Sequence, residues 1–206
     1  MADLLGGDAR LASKNTLYRC HDLLLKHQEP FFAFLRERWE DLFEARFDVV
    51  LYDITSTYFE CDPNALSEDD KRHFGYSRDK RSDCVEVLIA LVVNPDGLPL
   101  GYKVWQGNVL DHQTLQDVLN WTNTLHGKRR RVWVMDRGIP TEETLRWMRE
   151  NDTAYLVGTP KGRLTQYEKS FIEKPWKNVR QHVRVKLLES EGEHYVLANS
   201  LARAKK

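Results

Sequence analysis

The chain has 206 residues, 41% hydrophobic and 30% charged, enough for one full core with a small appendage and too apolar for a disordered protein. Its 31 basic residues balance 31 acidic ones, so net charge gives no support to nucleic-acid binding, and any such contact must rest on local patches. No apolar run approaches the roughly 20 residues of a membrane span. The start, MADLLGGDAR, lacks the basic and apolar regions of a secretory signal. Cys20, Cys61 and Cys84 form neither a zinc pattern nor a disulfide framework, so a reduced, cytoplasmic setting is expected.

In chain order, Leu17, Cys20, Leu24 and His27 recur at helical spacing, and Phe31, Phe32, Leu35, Trp39, Leu42 and Phe43 do so more strongly after Pro30. Two amphipathic helices are predicted, with aromatics that belong to a core. Val49-Val50-Leu51-Tyr52 then runs into Asp53, a pattern that reads as a strand buried on both faces and carrying a carboxylate. A buried carboxylate costs several kcal/mol unless it is paired or holds a metal. A lone Asp there is equally read as capping a turn through Thr55, Ser56 and Thr57. Residues 61–71 form a polar, acidic loop. Residues 72–81 (RHFGYSRDKR) interleave basic and aromatic side chains, which fits either a solvated loop or phosphate contact by Arg78, Lys80 and Arg81 with aromatic stacking.

Residues 86–93 are a strand, turned by Asn94-Pro95-Asp96-Gly97 into a second at 98–105. Leu115, Val118, Leu119, Thr122 and Leu125 line a helix ending at Gly127. The basic run 128–131 reads as a solvated edge. Val132-Trp133-Val134-Met135 runs into Asp136-Arg137-Gly138, repeating the Asp53 pattern. A helix from Thr141 and a short strand at 154–158 follow. Lys161-Gly162-Arg163 is read as a turn, and Thr165 with Glu168 as the capping box of a short helix. Residues 183–187 and 194–197 alternate as a hairpin with one buried face.

The element order predicts an α/β fold: an RNase H-like mixed sheet with flanking helices, followed by a β hairpin. Right-handed crossovers are the expected connections. In that fold the two Asp strands lie adjacent and parallel. Neighbouring carboxylates repel unless a proton or cation lies between them, and oxygen-only ligands suit Mg²⁺ or Mn²⁺. Three segments are expected: residues 1–47 helical, 48–153 the RNase H-like core, and 154–206 a β-rich remainder.

Several linked motifs carry a likeness to a known family. TSTYFE after Asp53, GYSRDKRSDC from Gly75, GLPLGY, Gly107-Asn108 before Asp111, VMDRGIPTEETL and YLVGTPKGRLT together resemble bacterial insertion-sequence DDE transposases. The branch resembled has a β-rich insertion between its second and third catalytic acids, which makes residues 48–153 the catalytic core and 154–206 the start of a partial β-rich insertion. The resemblance implies two Mg²⁺ (or Mn²⁺) ions and DNA strand cleavage and transfer. Asp53 and Asp136 are the implied first two ligands, with Arg137 placed for a scissile phosphate or a structural ion pair, and Thr55 and Thr57 as supporting donors. Its implied partners are DNA, as element ends and target, and a second copy of the chain, with no membrane.

The family's third acid, a Glu in a Tyr-x₂-Arg-x₃-Glu pattern, follows none of Tyr155, Tyr167 and Tyr195. The expectation is therefore a piece shortened at its C-terminus and its N-terminus, and inactive alone. A metal-dependent nuclease and a non-catalytic DNA-binding or dimerisation remnant are the competing expectations.

Overall fold

The computed structural model describes residues 13–76, 79–159, 161–190 and 192–200, with side chains of 111–112 and 161–166 outside the description. Two compact units result, divided after Val157.

The first unit contains helices α1 (Lys14–Lys26) and α2 (Gln28–Phe43), strands β1 (Val49–Phe59), β2 (Val85–Val93) and β3 (Pro99–Gln106), helix α3 (Asp111–His126), strand β4 (Val132–Met135), helix α4 (Glu142–Glu150) and strand β5 (Ala154–Val157). The five strands form one sheet in the order β3-β2-β1-β4-β5. β1 pairs antiparallel with β2, and parallel with β4, which in turn pairs parallel with β5. This is the RNase H-like mixed sheet that the sequence predicts. β5 belongs to it, so the compact unit ends at Val157, four residues beyond the expected boundary at 153.

One face of the sheet is closed. Val50, Tyr52, Ile54, Leu88, Ala90, Val92, Trp133 and Met135 pack with Leu115, Val118 and Leu119 of α3 and Met148 of α4. Fully burying each such side chain stabilises the fold by roughly 1.5–3 kcal/mol. β1 also sends Ser56 and the Tyr52 hydroxyl to this face, and the Tyr52 hydroxyl bonds the Thr114 hydroxyl at 2.8 Å. The other face is open. Leu51, Asp53, Thr55 and Thr57 are all exposed, so β1 alternates rather than being buried on both sides. The expectation failed because Leu51 (38% exposed), Leu91 (45%) and Leu156 (54%) put apolar side chains on this solvent face and mask the period of two.

The N-terminal helices also depart from a simple core role. Ser13 caps α1 through its hydroxyl, but α1 buries no residue. α2 buries only Phe32, which meets Tyr102 of β3 edge-on at 5.8 Å, while Trp39 packs against the main core. Of the basic run 128–131, Arg129 pairs with Glu40 at 3.2 Å. Arg131 instead turns inward and donates to the carbonyl oxygens of His126 and Gly127 at the end of α3. It is a buried cap for carbonyls the helix leaves unpaired, not a solvated edge.

The second unit has α5 (Lys161–Ile172) and a sheet of β6 (Lys177–Arg180), β7 (Val183–Ser190) and β8 (Glu193–Ser200), in that order. The predicted hairpin is β7–β8, whereas β6 was not anticipated. Residues 161–163 are helical rather than a turn, so α5 begins ahead of Thr165 rather than at it. Tyr167, Phe171 and Leu188 form a small core with Tyr195 against it. Lys186 is buried and donates to the Phe171 and Ile172 carbonyl oxygens (2.6 and 3.2 Å), which fastens β7 to the end of α5.

Candidate active site

The β1–β4 ladder pairs Val50 with Trp133, Leu51 with Val134 and Tyr52 with Met135. Asp53 and Asp136 are the next residues after the last pair of this ladder, so the parallel register leads both strands to an Asp at the same level. Adjacent strands lie about 4.8 Å apart. Asp53 shares its face with exposed Leu51, Thr55 and Thr57, and Asp136 is exposed just beyond the end of β4. Each carboxylate accepts a hydrogen bond from the backbone N–H that follows it, Ile54 at 2.9 Å and Arg137 at 2.7 Å. These contacts fix one oxygen of each carboxylate. Both groups are exposed, and what marks the pair is the register of the strands that lead into them.

The donor chemistry of the pair fits a hard divalent cation: two carboxylates, no nitrogen or sulfur. It fits only in part, since among the described residues no group of three or more His, Cys, Asp or Glu side chains is placed to hold a metal ion. Thr55 follows Asp53 on the same face, and its hydroxyl points to the Ser56 carbonyl at 3.5 Å, the limit of a hydrogen bond.

The structure divides the expected basic residues. Arg137 is exposed beside Asp136, and Lys80 is exposed in a left-handed backbone conformation (φ 59°). Arg78 lies outside the described residues. Arg81 is committed to Asp83 (2.9 Å) and Glu60 (2.8 Å) and stacks over Tyr58 at 4.8 Å. Its bond to Asp83 holds that carboxyl at about 2, below the usual carboxylate range. Arg72 does the same for Asp70, also at about 2, while lying over Phe59. These arginines tie the basic-aromatic segment to the end of β1.

Sequence reading also missed what two of the resemblance motifs do. Gly75 lies against Gly107, where a Cβ would sit 1.9 Å from the Gly107 carbonyl oxygen. A Cβ on Gly107 would in turn come within 2.2 Å of the Glu86 carbonyl oxygen. The surrounding backbone is bound too, with His73 and Glu86 exchanging N–H···O bonds and the Gly107 N–H donating to Lys71. Both glycines are needed for close approach.

Residues 47–199 match the family model of the transposase DDE domain. No curated protein matches the chain. Among solved structures, the Mos1 transposase paired-end complex with left transposon end is 12% identical with a TM-score of 0.37, covering 75% of this chain and 52% of that one. The Mos1 strand transfer complex is 13% identical with a TM-score of 0.35, covering 63% and 41%. This chain spans about half the length of those it resembles or less. With three quarters of its length inside the family match, the chain belongs to the transposase DDE domain family.

Proposed function

We propose that this chain serves DNA transposition, with residues 48–157 as the catalytic core, the preceding helices as its N-terminal segment, and the second unit as the start of the β-rich insertion. The observation that supports this reading best is the register that leads two paired strands to Asp53 and Asp136 within a transposase DDE domain. Asp53, on the central strand, and Asp136, just after β4, are the residues that would hold a divalent ion. Bound Mg²⁺ or Mn²⁺ supplies the activated water or 3′-hydroxyl and stabilises the leaving oxygen at phosphorus. The chain's own part is to hold the two carboxylates rigidly on paired strands, each oriented by the N–H that follows it, and to present Arg137 toward a phosphate beside them. Lys80, with Arg78, is proposed as a further phosphate contact.

Two carboxylates without a third acid hold an ion weakly, and in-line transfer needs nucleophile and leaving group placed together. The 206-residue chain alone is therefore proposed to bind metal and DNA without cleaving. The test is a strand-cleavage and joining assay with Mn²⁺ on DNA carrying the parent element's ends. Background activity is expected. Robust cleavage that is lost in Asp53→Asn would show that another acid completes the site, and Glu168 is then the first to replace.

A further inference from the structure

The neutral total conceals a separation of charge. Residues 158–206 carry eleven Lys and Arg against five Asp and Glu, while residues 1–157 carry twenty against twenty-six, so the two parts hold +6 and −6. Within the second unit the charge is separated again. From Lys174 to Leu188 there are five basic residues and no acid, and the acids Glu189 and Glu193 lie at the far end of the β7–β8 ladder, paired with His194 and Ser190.

The basic end is the β6–β7 hairpin. Arg180 pairs with Val183, so Gln181 and His182 form a two-residue turn, with His182 at φ 62°. Residues 178–184 line an open hollow of about 630 Å³. Lys177, Arg180, His182 and Arg184 are exposed. Arg184 is held in place by stacking over Trp176 at 4.5 Å, with Lys186 over the same ring at 5.1 Å.

The exposed cations of this hairpin are not neutralised internally, unlike several arginines of the first unit. In the first unit Arg72, Arg81, Lys103, Arg129 and Arg149 each have a carboxylate within 4 Å. Among the described residues, none of Lys177, Arg180 and Arg184 forms an ion pair. Like charges held together on a short hairpin repel, and they gain most from a ligand whose own charges are regularly spaced and closely set. A duplex backbone, with one negative charge per about 1.7 Å of axis, is such a ligand.

We propose that the β6–β7 hairpin is a second, sequence-independent contact with the phosphate backbone of duplex DNA, formed by Lys177 and Arg180, which the register sets on one face of the hairpin with Val185 and Val183, while Arg184 lies on the other face against Trp176. It rests on the reading that the chain acts on DNA, but it lies on a different unit from Asp53 and Asp136. It leaves most of the non-specific affinity to the second unit, because the first unit carries net negative charge.

The test is the salt dependence of binding by the full 206-residue chain to a short labelled duplex of unrelated sequence, followed by anisotropy. Lys177→Gln with Arg180→Gln should lower the slope of log affinity against log salt by about 1.8, from roughly 0.9 per lost phosphate contact. Neither side chain contributes to the second unit's core, so the melting temperature should hold. Lys177→Arg with Arg180→Lys should restore the wild-type slope. An unchanged slope in the Gln variant overturns the proposal, and a lowered melting temperature with it would assign these charges to internal pairing instead. If the wild-type chain binds and only Lys80→Gln with Arg137→Gln lowers the slope, the hairpin proposal fails while the DNA reading stands. If the wild-type chain does not bind duplex at all, both fail.

Discussion

Asp53 and Asp136 occupy the next positions beyond the Tyr52–Met135 pair of the parallel β1–β4 ladder, and each is anchored by the N–H of the residue after it. Two anions held at the same level of paired strands repel each other in the absence of a cation. Asp53→Asn or Asp136→Asn should therefore leave the melting temperature unchanged or slightly raised in metal-free buffer. The same changes should weaken Mn²⁺ binding at least about tenfold, the lower end of what disturbing a metal site costs. Thermal unfolding with and without Mn²⁺, beside calorimetric titration, reads both effects.

Gly75→Ala is expected to destabilise the first unit by about 1–3 kcal/mol, the usual range for forcing an extra carbon into a packed site. The atom it would meet is backbone, the Gly107 carbonyl oxygen, which cannot swing aside as a side chain can. Urea unfolding should show a lowered midpoint. Gly97→Ala is the control for a different cause, since nothing lies within 4 Å and only its positive φ (86°) opposes the change.

Stability should fall as pH drops below 6.5. Burial pushes the His126 imidazole below its ordinary value, with Arg36, Arg131 and Arg129 acting in the same direction, although its bond to the Leu100 carbonyl acts against them. The unfolded chain then takes up a proton at 6.5 that the folded chain refuses. This contribution is fully present above 6.5 and is lost progressively as pH falls toward the depressed folded value. Melting temperatures from pH 7.5 down to 5 should show it. His126→Gln should flatten the slope while lowering the whole curve.

Arg81→Gln should lower the melting temperature without changing the salt slope of DNA binding. Its guanidinium already serves Asp83 and Glu60 and covers Tyr58, so removing it loosens the segment after β1 rather than a phosphate contact. A drop of about one unit in the slope would return Arg81 to the DNA surface.

The sheet was legible because its strands are short apolar runs broken by strong turn residues, such as Asn94-Pro95-Asp96-Gly97. The two strands that lead into Asp53 and Asp136 were legible because the same strand-then-Asp pattern occurs twice. One-sided burial of β1 was hidden by exposed Leu51. β6 was hidden because Lys177-Asn178-Val179-Arg180 has no alternation to read. The partners of Arg81 at Glu60, of Gly75 at Gly107 and of Arg131 at the end of α3 depend on which loop returns to which strand. Local spacing does not encode that, so a basic run such as 128–131 reads as one surface although its members go to opposite environments.

The most direct measurement of the central claim is paramagnetic broadening of backbone amide signals on titration with Mn²⁺. The account predicts that Ile54 and Arg137, whose N–H groups bond the two carboxylates, broaden first and together, and that Asp53→Asn abolishes both effects. Broadening that starts elsewhere, or that survives Asp53→Asn, would contradict a divalent-ion site shared by Asp53 and Asp136.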